Sequence, residues 1–265
     1  MGALSYGVKR LLTRPRAFLR ACRGVGFNAA LNLVRIRSGS RGKVYQVRVP
    51  QWPHPVYVRG GDSTDAVVLY EILVTDEYGH VGDLGSPQFM IDAGANVGFA
   101  ALHFLNRYPD VRIVAIEPDP QTIELCRKNL APYAERVTIL QGALWNRAGW
   151  ICLQPHEAEF ATSVRDAAEG ESGSIQAFTI SSVIADYARG LPVDLLKIDV
   201  EGGEREIFDP GDLRWLSRVK NIVIELHGPD CEDRFFSAIK PFKCEKSRRD
   251  QVWFCANLRA PVNAD

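Results

Sequence analysis

The first 61 of the 265 residues contain no aspartate and no glutamate; the first acid is Asp62. No stretch runs 18 apolar residues, so no membrane-spanning helix is expected. The N-terminus lacks an uninterrupted apolar segment followed by a cleavage site, and Tyr6 breaks the myristoylation pattern that Gly2 would begin. Six cysteines, at positions 22, 126, 152, 231, 244 and 255, include no C-x-x-C pair and no regular spacing. That argues against a zinc knuckle and a disulfide framework, and for reduced thiols filling the core of a cytoplasmic protein.

What is there is unevenly spread. Of the 32 Lys and Arg, 12 stand in the acid-free stretch, so the remainder carries 20 bases against 32 acids. A basic arm on an acidic body asks for an anionic partner. Leu4, Val8, Leu11 and Leu12 recur at helical spacing; Pro15 interrupts, and Phe27, Ala30, Leu31 and Val34 resume the pattern. Three readings stand for residues 1–38: an interfacial helix pair on an anionic membrane surface, a cap packed on the body, or an organellar transit peptide.

The body is organised around Phe89–Leu102. An apolar run ends in Asp92, turns through Gly94, Ala95, Asn96 and Gly98, and continues at helical spacing. Glycines let a backbone approach a ligand, and a helix start offers free N–H groups. The spacing is D-x-G-x-x-x-G rather than G-x-G-x-x-G, and a carboxylate at Asp92 would repel a pyrophosphate. A ligand with a cationic part fits better, and S-adenosylmethionine (SAM) carries an ammonium and a sulfonium. The next buried strand ends in Glu117-Pro118, where an acid can accept both hydroxyls of a ribose. A third strand ends in Gln141-Gly142-Ala143-Leu144-Trp145, and the loop after it is expected beside the first strand, where an adenine would lie. Gln141 would meet the adenine amine; Trp145 either covers the ring or packs in the core.

Strand and helix alternate across this region, at 89–92, 98–107, 111–116, 120–130 and 137–140, which predicts a parallel sheet with right-handed crossovers. Before it, Lys43–Val49 and Val56–Val58 read as short strands and Asp65–Val74 as a helix with Asp62, Ser63 or Thr64 as cap. After it, 150–153 and 174–178 read as antiparallel strands around a polar loop at 157–173, either a substrate lid or a dispensable insertion.

The second focus is Leu195–Glu204. In a strand running to Val200, Lys197, Asp199 and Glu201 share one face, and such charges are costly in a central strand unless paired. Glu225 and His227 share a face of the next strand's exit, expected at the same crevice as Asp92 and Glu117. A hairpin from Phe242–Lys246 and Val252–Ala256 closes the chain.

These motifs resemble the FkbM family of SAM-dependent methyltransferases. The likeness is carried by Ile91–Gly98, Ile116–Pro118, Leu195–Gly202 with Glu204, Ile224–His227 and, before the first motif, Val58–Tyr78; it covers about residues 56–257, and Lys197–Gly202 is its most specific part. The resemblance implies a class I, doubly wound α/β fold: a mostly parallel seven-stranded sheet with a C-terminal antiparallel hairpin. It implies methyl transfer to a hydroxyl, often of a sugar or natural product. The wider class often has an acid where this chain has Gln141. The expected organisation is a basic arm (1–42), a strand and helix cap (43–88) and a methyltransferase domain (89–260), with the arm outside the likeness.

The expected donor site is Asp92, Gly94, Asn96, Gly98, Glu117, Pro118, Gln141, Gly142, Ala143 and Asp199. The expected chemistry lies with His227 as general base, Glu225 or Asp199 orienting it, and Lys197 beside them; Glu201 and His227 would meet the acceptor. Asp199, Glu225 and His227 are also of a kind that holds Mg²⁺ or Mn²⁺. The metal-free reading is preferred because Lys197 already supplies a cation. Two rival classes are an NAD-dependent sugar enzyme, which Asp92 argues against, and a nucleic-acid binder, which the arm's lack of interleaved stacking aromatics argues against. The acceptor's identity and the oligomeric state are not legible.

Overall fold

The structure, a computed structural model, describes residues 15–155 and 162–260. The helical pattern at Leu4–Leu12 and the loop residues 157–161 lie outside the described residues.

The described arm is two helices, α1 (Pro15–Val25) and α2 (Phe27–Arg37). Pro15 starts a helix rather than only interrupting one, because a first-turn residue has no intrahelical N–H bond to lose. Ala21, Val25, Ala29, Ala30, Leu33 and Ile36 are buried in the same apolar cluster as Tyr70 and Phe104 of the body. A hairpin of β1 (Val44–Val47) and β2 (Val56–Arg59) follows, then α3 (Asp65–Leu73). Asp65 is fully buried and receives Arg59 through its backbone N–H and guanidinium.

The central elements are β3 (Phe89–Ala93), α4 (Phe99–Arg107), β4 (Arg112–Glu117), α5 (Pro120–Leu130) and β5 (Val137–Gln141). Pro120 opens α5, and the Asp119 side chain caps it by accepting from the Thr122 N–H. Asn129 of α5 ties the cap segment down: it accepts from the Tyr57 N–H and donates to the carbonyls of Tyr57 and Val97.

Next come β6 (Ala143–Leu144), β7 (Gly149–Pro155), β8 (Thr162–Asp166) and β9 (Ser174–Phe178), a separate sheet in the order β6-β9-β7-β8. The expected polar loop at 157–173 therefore contains a strand, β8, paired antiparallel with β7. Its sequence, Thr162-Ser163-Val164-Arg165-Asp166, has a single apolar residue and so carries no two-residue hydrophobic period.

The chain ends with α6 (Ile180–Tyr187), β10 (Leu195–Ile198), α7 (Glu204–Ile207), β11 (Ile222–Glu225), α8 (Pro229–Ile239), β12 (Lys243–Arg249) and β13 (Val252–Arg259). The main sheet has seven strands in the order β12-β13-β11-β10-β3-β4-β5. The five from β11 to β5 are parallel, and the last hairpin is antiparallel. β5 pairs with β4 at the edge of the sheet. β10 stops at Ile198 rather than Val200, because Glu201 (φ 53°) and Gly202 (φ 101°) turn the chain away. Met90 enters the cluster on the arm side of the sheet, while Phe89, Ile91 and Ala93 enter the cluster with Phe208, Trp215 and Phe235. Both faces are covered, as a parallel sheet requires.

Candidate active site

The carboxyl ends of the parallel strands open on a cavity of about 440 Å³. Its wall takes Gly94 from β3, Glu117 and Pro118 from β4, Gly142 to Trp145 after β5, Asp199 to Gly203 after β10, and His227 after β11. A larger hollow, about 670 Å³, lies at the amino ends of β10 and β11 beside Asp194 and Asn221, away from the carboxyl ends of the parallel strands. The smaller cavity is the one at the end of an open α/β sheet where ligands bind.

The glycine turn is shaped by its neighbour. Gly94 has φ 75°, and a Cβ there would collide with the Asp199 carbonyl. The N–H groups of Gly94 and Ala95 both donate to the Ile116 carbonyl, pulling the turn over the end of β4. The Asn96 N–H donates to Glu117 at 2.9 Å, and the Asp119 N–H donates to its other oxygen at 3.0 Å. Burial pushes the Glu117 carboxyl up, against the pull of those two N–H groups. Each oxygen keeps lone-pair capacity toward the cavity.

Beneath the turn lies Lys197, fully enclosed. Its Nζ is 3.1 Å from Asp92 and 3.8 Å from Asp199, and it donates to the Ala93 and Gly94 carbonyls. Burial works to lower its pKa, but Asp92 and Asp199 outweigh that and raise it. The pairing that the sequence demands of this strand is therefore present, and it uses Asp92.

His227 stands on the opposite wall. Its Nδ1–H donates at 3.0 Å to Glu204, which is fully buried and also accepts from the Val200 N–H. Glu201 and Glu225 lie 3.7 and 3.8 Å from Nε2. Burial would lower the imidazole's pKa, but Glu204, then Asp199 and Glu225, push it up to about 9. The expected orienting acid, Glu225 or Asp199, is thus replaced at Nδ1 by Glu204, and the ordinary imidazole range by a more basic one. One oxygen each from Asp199 and Glu201 and a ring nitrogen of His227 fall within 4.8 Å of one another. In this grouping Glu201 stands where the sequence suggested Glu225.

Six expected site residues do not line the cavity. Asp92 and Lys197 are buried under it. Asn96 offers its backbone to Glu117, and Gly98 begins α4 with φ 87°, packed near Leu130 and Cys126. Gln141 is exposed at the end of β5. Glu225 faces a hollow of about 10 Å³ with Glu77, Tyr78, Asp199 and Lys197. Burial first, and then neighbouring acids, push Glu77 up to about 8 and Glu71 and Glu225 to about 7. Sequence reasoning gave no role to Glu204, Glu71 or Glu77. None of the three carried a signal: His227 had nearer acids in sequence to pair with, Glu204 lies 23 residues away, and the segment of Glu71 and Glu77 folds in from before the first motif.

A seven-stranded sheet of this order, with a glycine turn and an acid at successive strand exits, defines a class I methyltransferase. The Methyltransferase FkbM domain matches residues 92–245, more than half of the chain. The chain belongs to the FkbM methyltransferase family, and its activity is methyl transfer. Among its relatives, methyltransferase sdnD of Sordaria araneosa is 29% identical over 197 residues, covering 62% of this chain and 76% of that protein. O-methyltransferase imqG of Aspergillus flavus is 36% identical over 62 residues, covering 23% of this chain and 25% of that one. The crystal structure of methyltransferase FkbM from Methylobacillus flagellatus KT aligns with a TM-score of 0.46 at 16% identity, over 64% of this chain and 43% of that one.

Proposed function

We propose that this protein moves the methyl group of SAM to a hydroxyl of a sugar, glycan or natural-product acceptor. The observation that carries the reading is the convergence of Glu117, the Gly142–Trp145 loop and His227 on one cavity. Its volume lies in the range of small-molecule sites. Glu117, with spare lone pairs, suits a ribose diol. Gly94 and Gly142 are required where they stand on the cavity wall, since a Cβ at either would strike a backbone carbonyl of the neighbouring segment. SAM bound there supplies an electrophilic methyl group. An acceptor hydroxyl needs help to lose its proton, and the name of the relative imqG, an O-methyltransferase, supports oxygen as the atom methylated.

His227 is the proposed base, with Glu204 fixing its ring through Nδ1 so that Nε2 is left for the acceptor. With its pKa near 9, only about one molecule in a hundred has the free base at pH 7. The rate is therefore expected to climb with pH and level off near about 9. His227→Ala should lower kcat by about 10²–10⁴-fold with SAM affinity nearly unchanged. Glu117→Ala should weaken SAM binding by roughly 10–100-fold in calorimetry. A folded Glu117→Ala protein with wild-type SAM affinity would overturn the donor site. A His227→Ala enzyme of normal kcat would remove the base.

A second reading rests on the grouping of Asp199, Glu201 and His227. Oxygen and imidazole donors at that spacing suit Mg²⁺ or Mn²⁺, which would hold the acceptor oxygen and lower its pKa. Activity abolished by chelator and restored by Mn²⁺ would favour it; chelator-insensitive turnover would favour His227 as free base.

A further inference from the structure

The arm has an outer face that the methyl-transfer reading does not use. Arg16, Leu19, Arg20 and Arg23 recur at i, i+3, i+4 and i+7, which sets them along one side of α1. All four are exposed, and Phe27 at the start of α2 is exposed as well, its ring 6.0 Å from that of Phe18, which packs on the core. Leu19 is 58% and Phe27 61% exposed; with Val44 they are the large apolar side chains left exposed among the described residues. The arginines have no carboxylate partner among the ion pairs of the described residues, and no acid precedes Asp62.

The inner face, by contrast, is fixed. Ala21 and Val25 are buried, Tyr70 donates to the Ala17 carbonyl, and Gly24 sits against Val74. The exposed face is therefore held in one orientation on the body and is not a helix awaiting a core. The body's acids face repulsion from any anionic surface that attracts the arm, so the charge distribution dictates which side turns toward it.

We infer that the outer face of α1, with Phe27, docks on an anionic lipid surface, Leu19 and Phe27 entering the headgroup boundary and Arg16, Arg20 and Arg23 meeting phosphates. Large apolar side chains flanked by arginine on a short helix are what an interfacial helix presents. A phosphate-backbone binder needs the charge but not the exposed leucine. The inference goes beyond methyl transfer and does not depend on it.

The full chain should sediment with phosphatidylcholine vesicles that contain phosphatidylglycerol, and not with phosphatidylcholine alone. Binding should fall steeply with added salt. Leu19→Ser with Phe27→Ser should weaken the vesicle partition about ten-fold or more. Arg16→Gln, Arg20→Gln and Arg23→Gln together should weaken it on the order of a hundred-fold. The arginine variant should keep the wild-type melting temperature, and so should Leu19→Ser alone, since these side chains are exposed. Wild type left in the supernatant, or bound to duplex RNA but not to vesicles, would overturn the inference. So would a Leu19/Phe27 variant that partitions like wild type, or a Leu19→Ser variant that loses thermal stability, since the face would then be packed rather than free.

Discussion

Glu204 is fully buried, one of its oxygens serves His227 and the Val200 N–H, and the other has no hydrogen-bond partner. A buried carboxylate left half satisfied is costly unless a cation compensates it, and the imidazolium of His227 is that cation. The His227 partnership in turn holds the Glu204 carboxyl below its ordinary value against the opposing pull of burial. Glu204→Gln keeps the shape and removes the charge. In that variant His227, followed by NMR titration, should fall from about 9 back toward 6.5, and the rate profile should move to lower pH with it. An unmoved titration would mean that Asp199 and Glu225 raise the imidazole instead. Lys197 shows the converse: its need for partners was legible in the sequence, because a lysine in a doubly covered strand has to be paired. Glu204 was not legible as the partner of His227, since 23 residues and a whole strand separate them.

At the scale of elements, turn chemistry made most boundaries readable. The glycine turn at 94–98 opens α4 as its spacing requires. What escaped was settled by partners rather than by pattern: β8 exists because β7 offers it an edge. The attachment of the cap hairpin was likewise hidden, for nothing local to Asn129 announces that it will satisfy both backbone groups of Tyr57. Asn129→Ala would leave those groups and the Val97 carbonyl without partners, at a cost of about 3 kcal/mol in denaturant unfolding. A loss below about 0.5 kcal/mol would mean that the hairpin is held by its apolar contacts alone.

For the whole molecule, the raised acids and the raised histidine act with one sign. Glu71, Glu77 and Glu225 move from 4.5 to between about 7 and about 8, so the folded chain holds more protons than the unfolded one across that range, and stability falls as pH rises through it. His227 moves from 6.5 to about 9; its contribution is complete below 6.5 and lost as pH climbs through 9. The melting temperature should therefore decline steadily from about pH 5 to about pH 9. A flat or rising profile would contradict the burial of those carboxyls. The position of β13 has a consequence of a different kind. It is the last strand of the main sheet in the chain, yet it lies inside that sheet, between β12 and β11. During synthesis β11 must wait as an open edge until residues 252–259 have left the ribosome. The strand that ends in Glu225 and leads to His227 is thus paired late, and a translation stall or a nonsense codon in the final hairpin would release a chain with an unpaired, aggregation-prone strand in the middle of its sheet.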